Sequence, residues 1–443
     1  MTAAQLPDDR GLLASLRGLG PDGQRLFALR ILRMFGYGFL AVVLVLYLAA
    51  VGLEPLAIGA ILTLTLLGDT SVSLWLTTRA DRLGRRRVLI AGSLLVVIAG
   101  VAFASTDIVA LLIVAGIIGV ISPTGNEVGP FLAVEQAALS QVVPDRRRTA
   151  TFAWYGLAGY LATATGALLA GAASGALLAA GWPDADAYRA VVAGYAAIGL
   201  LMAGVAWTLR PAIEATVVPA EDGIRRRLGL GRSRGVIARL SVLFALDAFA
   251  GGFIPQSLMA FWFAMTFHVG PATLGAIFFV ANLLAAVSSL SAARIAARIG
   301  LINTMVFTHL PSNVLLLLVP LMPTLPLAVA VLFARFALSQ MDVPTRQSYV
   351  LAVVDPDERS AAAGVTGIAR TVGAAISPSI ATLLLASAGL AAVPFYLAGG
   401  LKIVYDLLLY RDFRGRRPPE EMDAASVATS PAVRPPPGPP AAA

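Results

Sequence analysis

Cysteine is absent from the 443-residue chain, which excludes a disulfide framework and a thiolate metal site. Histidine occurs only twice, too rarely for a histidine-rich metal cluster, and neither a metal nor another cofactor is expected. Lysine occurs once, as Lys402 inside an apolar stretch. No G-x-x-x-x-G-K-[ST] phosphate loop exists, so ATP hydrolysis by that route is excluded. Charge is scarce as well: Asp, Glu, Lys and Arg make up 13% of the residues, against roughly 25% in a soluble domain. What fills the chain is apolar, with 58% hydrophobic residues and a mean hydropathy of +0.81. Such a composition is that of an integral membrane protein. The net charge of +8 sits in short arginine clusters between apolar runs, a pattern that sets membrane orientation and does not call for a nucleic-acid partner. Asp8, Asp9 and Asp22 precede the first apolar run, which does not suit a cleavable signal peptide.

Twelve apolar stretches approach or exceed the ~20 residues that a bilayer-crossing helix needs. Their approximate spans are 25–51, 55–78, 88–106, 108–141, 149–180, 188–210, 237–266, 272–297, 301–322, 326–350, 360–389 and 392–410. With the N-terminus in the cytoplasm, the inner loops hold Arg79, Arg82 and Arg85 to Arg87, then Arg146 to Arg148, Arg225 to Arg227, Arg294 with Arg298, Arg359, and Arg411 to Arg417, while the outer loops hold essentially Arg189. This is a positive-inside distribution, and it predicts a multi-pass protein of the plasma membrane with both termini cytoplasmic.

The longest polar linker, 211–236, divides the spans six and six. A displacement of 211 residues aligns "EQAALSQVVPDRRRTATFAWYGLA" with "RQSYVLAVVDPDERSAAAGVTGIA", and one of 214 aligns "RMFGYGF" with "DAFAGGF". Two registers in the same order point to an internal duplication. The predicted organisation is a cytoplasmic segment 1–24, a six-helix bundle 25–210, the linker 211–236, a second six-helix bundle 237–411 and a low-complexity tail 412–443.

"TTRADRLGRRRVL", after the second span, resembles the loop signature G-x-x-x-D-R-x-G-R-R of the major facilitator superfamily. Asp81, Arg82, Gly84, Arg85 and Arg86 stand in the matching places, and Thr77 replaces the first glycine. The second-half counterpart "ARIAARIGL" keeps Arg298 and Gly300 but has Ala297 in place of the acid. The resemblance implies an all-α membrane fold of twelve helices in two pseudo-symmetric bundles. It further implies that helices 3, 6, 9 and 12 lie outside the cavity-lining ones and that the loop cluster latches the halves in one state. On electrostatic grounds Asp81, at a helix C-terminus, needs a cation or the N-terminus of another helix beside it.

Charge inside a bilayer costs at least ~2.5 kcal/mol and persists where it meets a partner or a cavity. Arg33, Asp69, Glu127, Asp247, Arg335 with Asp342, and Arg370 lie inside spans 1, 2, 4, 7, 10 and 11. Depths counted along these spans place Arg33, Asp69, Asp247 and Asp342 in a lower layer, and Glu127, Arg335 and Arg370 near the midplane. Arg33 and Asp247 are repeat equivalents of opposite charge, so a cross-half ion pair is expected in at least one state of the protein, and Lys402 with Asp406 at i, i+4 are expected to pair with each other. In "SPTGNEVGP", residues 122–130, two prolines and two glycines should bend span 4 and let Asn126 and Glu127 line a cavity.

Together these features imply a secondary active transporter and not an enzyme, a proton-coupled exporter of a small organic molecule acting as a monomer in the lipid bilayer. Arg335 and Arg370 make an anionic cargo as compatible with the spans as a neutral or cationic amphiphile, and uptake of an anionic metabolite is the alternative. A non-transporting receptor or sensor on the same scaffold is the other. The exporter signature expected on helix 5 is incomplete, because Gly166 is followed by Ala167 and the matching proline, Pro378, stands on helix 11.

Overall fold

Proline in the first turn of a helix gives up an N–H that has no partner there anyway, and it opens several of the helices. A computed structural model of the chain describes residues 19–143, 145–214, 233–355 and 358–415. In chain order the helices of the first half are α1 (Gly20–Ala50), α2 (Pro55–Leu83), α3 (Arg85–Ser105), α4 (Val109–Ile118), α5 (Phe131–Val142), α6 (Asp145–Ala179) and α7 (Asp184–Trp207). Those of the second half are α8 (Arg234–Gly251), α9 (Gln256–Phe267), α10 (Pro271–Ile299), α11 (Leu301–Leu318), α12 (Leu325–Ser339), α13 (Asp342–Ala352), α14 (Arg359–Ala386) and α15 (Val393–Phe413). Among the described residues, eleven crossings are long and apolar enough to span a membrane; the remaining crossing is split into α4 and α5. This is the twelve-crossing, all-helical architecture that the sequence implies. α1 begins several residues before 25, and residues 1–18, 215–232 and 416–443, with Arg225 to Arg227, lie outside the described residues.

Span 4 is more than bent: no helix covers residues 119–130. Pro123 and Pro130 cannot donate to a helix ladder, and Gly125 and Gly129 take φ values of +69° and +83° that side-chain-bearing residues avoid. The freed carbonyls find donors nearby. Tyr195 Oη donates to Val120 O (2.8 Å), Tyr37 Oη to Val128 O (2.9 Å), Ser122 Oγ to Asn126 O (2.7 Å) and Ser257 N to Pro123 O (3.1 Å). The seventh crossing is also interrupted, between α8 and α9 at Pro255, and the tenth between α12 and α13.

An even number of crossings puts both chain ends on one face, the terminal face; the other is the distal face. Peripheral helices α3 with α7, and α11 with α15, pack together within their own halves. They present Leu94, Ile98, Leu200, Leu201, Phe307 and Leu407 outward, as lipid-facing helices must. The halves meet through α6 against α10, α2 against α14, and α1 against α9.

These joints are tight on the distal side. A Cβ on Gly171 would lie 2.7 Å from Gly275 Cα, one on Gly59 would lie 2.6 Å from Ser379 Cα, and Thr63 Oγ1 is 2.8 Å from Ser379 Oγ. Further toward the terminal face, along the same helices, space opens: a Cβ on Gly156 of α6, or on Gly364 or Gly367 of α14, would meet nothing within 4 Å. The two halves therefore close on the distal side and part on the terminal side.

Candidate functional site

Each half holds a buried ion-pair cluster beside its interrupted helices. In the first half, Arg33 is fully buried and bridges two acids, pairing through Nη1 with Glu127 and through Nη2 with Glu135 at 2.5 Å. Arg30, three residues earlier on the same face of α1, also pairs with Glu127. Tyr155 Oη on α6 donates to Glu135, and its ring lies 4.8 Å from the Arg30 guanidinium carbon. Phe131 covers Arg33 at 5.0 Å. Two cations and two acids thus neutralise each other, and Glu127 keeps 25% of its side-chain surface exposed.

In the second half Asp247 on α8 is the hub. Lys402 Nζ lies 2.5 Å, Arg370 Nη1 3.1 Å and Arg346 Nη1 3.4 Å from its carboxylate, with His309 Nε2 at 4.0 Å. Arg346 also holds Asp342 at 2.7 Å. Asp406, fully buried, takes His309 Nδ1 at 2.9 Å and Asn313 Nδ2 at 2.8 Å.

The duplication explains the arrangement. Under the 211 displacement Glu135 corresponds to Arg346, and under 214 Arg33 corresponds to Asp247. Each half pairs its first and fourth crossings at equivalent places, with the charges exchanged: Arg33 with Glu135, and Asp247 with Arg346. A second equivalence lies at the terminal face, where Arg148 Nε donates to Ser140 O and Arg359 Nε to Leu351 O, each at 2.9 Å.

Several expectations are corrected by these contacts. In this state Arg33 and Asp247 do not pair across the halves, since each is taken up by partners in its own. The two-layer arrangement collapses, because Arg33 meets Glu127, and Asp247 meets Arg370. α1 starts at Gly20, so Arg33 stands ~20 Å up its helix and close to the middle. Lys402 and Asp406 do not pair with each other; Asp247 and His309 are the nearer partners. Glu127 is neutralised by Arg30 and Arg33.

Asp69 is buried, accepts from Ser73 Oγ at 3.3 Å and lies against the Gly129 backbone amide, so it braces the interrupted fourth crossing. Asn126 is exposed on that interruption. Arg335 joins neither cluster. Arg30, Glu135, Arg346 and Tyr155 were not among the candidates. Arg30 was discoverable as the i−3 neighbour of Arg33, and Glu135 and Arg346 as repeat equivalents.

At the terminal face, Asp81 meets Arg85 Nε at 2.9 Å while its side chain stays 67% exposed. The acid at the N-terminus of α3 is Glu214, which accepts from the backbone amides of Arg85 (2.6 Å) and Arg86 (3.2 Å). Arg85 reaches Ile213 O at 3.1 Å and Gln141 Oε1 at 2.7 Å, and Arg86 Nη2 reaches Trp207 O at 2.6 Å. These contacts lie within the first half and the start of the linker, and Asp81 stays largely exposed. Asp81→Asn should therefore leave membrane abundance unchanged while slowing transport, if Asp81 engages the other half only when the terminal face closes. Wild-type transport at equal abundance would show that it does not act as a latch.

Residues 26–341 match the family model described as Major Facilitator Superfamily. A relative from Saccharomyces cerevisiae (strain ATCC 204508 / S288c), the uncharacterized membrane protein YJR124C, is 30% identical over 423 residues, covering 89% of this chain and 94% of that protein. Among solved structures, a mutant of the nucleoside transporter NupG superposes with a TM-score of 0.71 at 14% identity, over 89% of this chain and all of that one. A D-xylose-proton symporter gives 0.66 at 15%, over 88% and 97%. A bacterial homolog of the human lysosomal transporter Spinster, inward-facing and unoccupied, gives 0.64 at 16%, over 92% and 99%. At these identities the solved structures share the fold alone.

Proposed function

Since the chain belongs to the Major Facilitator Superfamily and is a multi-pass membrane protein, we propose that it is a proton-coupled secondary transporter that exports a small organic molecule by alternating access. The observation that carries this reading is the contrast between crowded distal joints and an open terminal side around buried, ion-paired carboxylates. A tight joint on one side and a gap on the other is one of two states of a rocking pair of bundles. The arginine-rich terminal face is the cytoplasmic one on this reading, so the structure is inward-open, and the chain works as a monomer in the plasma membrane.

Glu127 is the proton carrier in this scheme. It is partly exposed at the interrupted helix, where it pairs with Arg30 and Arg33. An ionised acid facing the cytoplasm is what an antiporter needs when cargo loads there and a proton has just left. Rocking that draws Arg30 away would leave the carboxylate to meet a proton arriving from the far side. Asp69 and the Asp247, Asp342 and Arg370 cluster complete the pathway, Asp247 and Asp342 as its second charge store.

Metabolite profiling of cells with and without the chain identifies the cargo, and proteoliposomes then test the coupling. Glu127→Gln should abolish accumulation driven by a proton gradient while cargo exchange persists. Retained gradient-driven accumulation would move the coupling role to another acid, and absence of any cargo difference or exchange in the wild type would overturn the transporter reading.

A further inference from the structure

Among the described residues, each buried cation of the crossings but one has a carboxylate partner. Arg30 and Arg33 share Glu127, Arg346 holds Asp342, and Arg370 and Lys402 meet Asp247. Arg335 on α12 has no acid among the described residues, and its Nε is buried without a hydrogen-bond partner. Its guanidinium carbon lies 5.1 Å from the Phe336 ring, which offers a face but no countercharge.

Arg335 does not point to lipid. It stands three residues after Leu332 and four before Ser339, on the face that also carries Ala328, and all three are buried. The exposed side of α12 is formed by Leu327, Ala330 and Ala334. Arg335 itself is partly exposed.

A second unpaired donor sits at the same depth. Gln340 N donates to Ser288 Oγ at 3.2 Å, fixing α12 and α13 beside α10, and both crossings run from the distal to the terminal face. Stepping back from that bond to Arg335 on one helix and to Asn282 on the other covers ~8–9 Å in each case. Asn282 Nδ2 donates to Gln256 Oε1 at 3.2 Å, while Gln256 Nε2, on a residue only 9% exposed, is left without a partner. Gln256 is the first residue of α9, whose N-terminus turns its positive end toward the open side of the midplane.

We infer that the second half binds an anionic group of the cargo, a carboxylate or a phosphate, with Arg335 as its charge partner and Gln256 and the α9 N-terminus as further donors. This rests on the transporter reading and narrows its cargo class. It also separates two arginines that the sequence treats alike: Arg370 already shares Asp247 as a partner, whereas Arg335 has no anion among the described residues. Guanidinium suits such groups because it offers paired, parallel N–H donors.

The test uses the full chain in proteoliposomes and, as probe, a uniformly ¹³C-labelled cell extract separated by ion exchange into anionic, neutral and cationic fractions. Label should accumulate from the anionic fraction with wild-type protein. Arg335→Gln should lower that accumulation roughly ten- to hundredfold at equal protein content, the range lost with a charge-assisted hydrogen bond. Arg335→Lys, which keeps the charge, should restore part of it through a raised KM with little change in kcat. Accumulation from the neutral or cationic fraction, or unchanged anion accumulation in Arg335→Gln, overturns the inference while leaving the transporter reading standing. Accumulation from no fraction overturns the transporter reading itself.

Discussion

Leucine in place of Gly171 should lock the distal face open and lower transport roughly 5- to 150-fold. Gly171 on α6 meets Gly275 on α10 where a single Cβ would come within 2.7 Å of the opposing Cα, and that opposing atom is backbone that cannot rotate away. Overpacking of this kind costs about 1–3 kcal/mol. The cost falls only on the state in which the distal joint is shut, so it shifts the balance between states by roughly 5- to 150-fold. Gly59→Leu, at the second joint against Ser379, should act in the same direction. Because the chain has no cysteine, a single Ser379→Cys reports the joint without background labelling. A membrane-impermeant maleimide applied from the distal side should label it slowly in the otherwise unchanged protein and quickly beside Gly171→Leu. Equal labelling with transport intact would mean that the joint found here is not a gate.

The joint itself was not legible in the sequence. Gly59, Gly171 and Gly275 look like any small residues of an alanine-rich helix, and only the opposing backbone gives them meaning. The twelve crossings and the duplication were legible, because lipid enforces long apolar runs and because charge follows the loops. The interruption of the fourth crossing was legible in kind but not in extent: prolines and glycines announced a bend, whereas complete loss of helix over 119–130 depends on Tyr37, Tyr195 and Ser257 supplying donors from other helices. Ion-pair partners were the least legible. Counting depth from where hydropathy rises misplaced Arg33, since α1 extends into the polar segment before it. Matching the repeats by identity passed over Glu135 opposite Arg346, although that reversal of sign, together with Arg33 opposite Asp247, is what keeps both pairs inside their own halves.

That reversal yields the other large effect. Arg33→Gln leaves the fully buried Glu135 with the Tyr155 hydroxyl as its remaining hydrogen-bond partner among the described residues, and Asp247→Asn leaves Arg346, Arg370 and Lys402 with Asp342, on Arg346, as the one acid among the described residues still in an ion pair with any of them. Stripping one partner from a buried pair costs about 3–5 kcal/mol, because the survivor stays charged and out of water. Each variant should therefore unfold at a clearly lower temperature in detergent. Matched neutral variants should recover much of the loss: Arg33→Gln with Glu135→Gln in the first half, and Asp247→Asn with Lys402→Met in the second. Non-additivity of ~0.5–3 kcal/mol is expected inside each half, where the partners touch. Between Arg33→Gln and Asp247→Asn it should stay within ~0.5 kcal/mol, because the two share no partner. Thermal or denaturant unfolding of the purified variants measures both cycles. Strong coupling between Arg33 and Asp247 would require a state of the protein in which the halves exchange partners across the cavity, and it would remove the separate neutralisation of each half as the source of the bundles' stability.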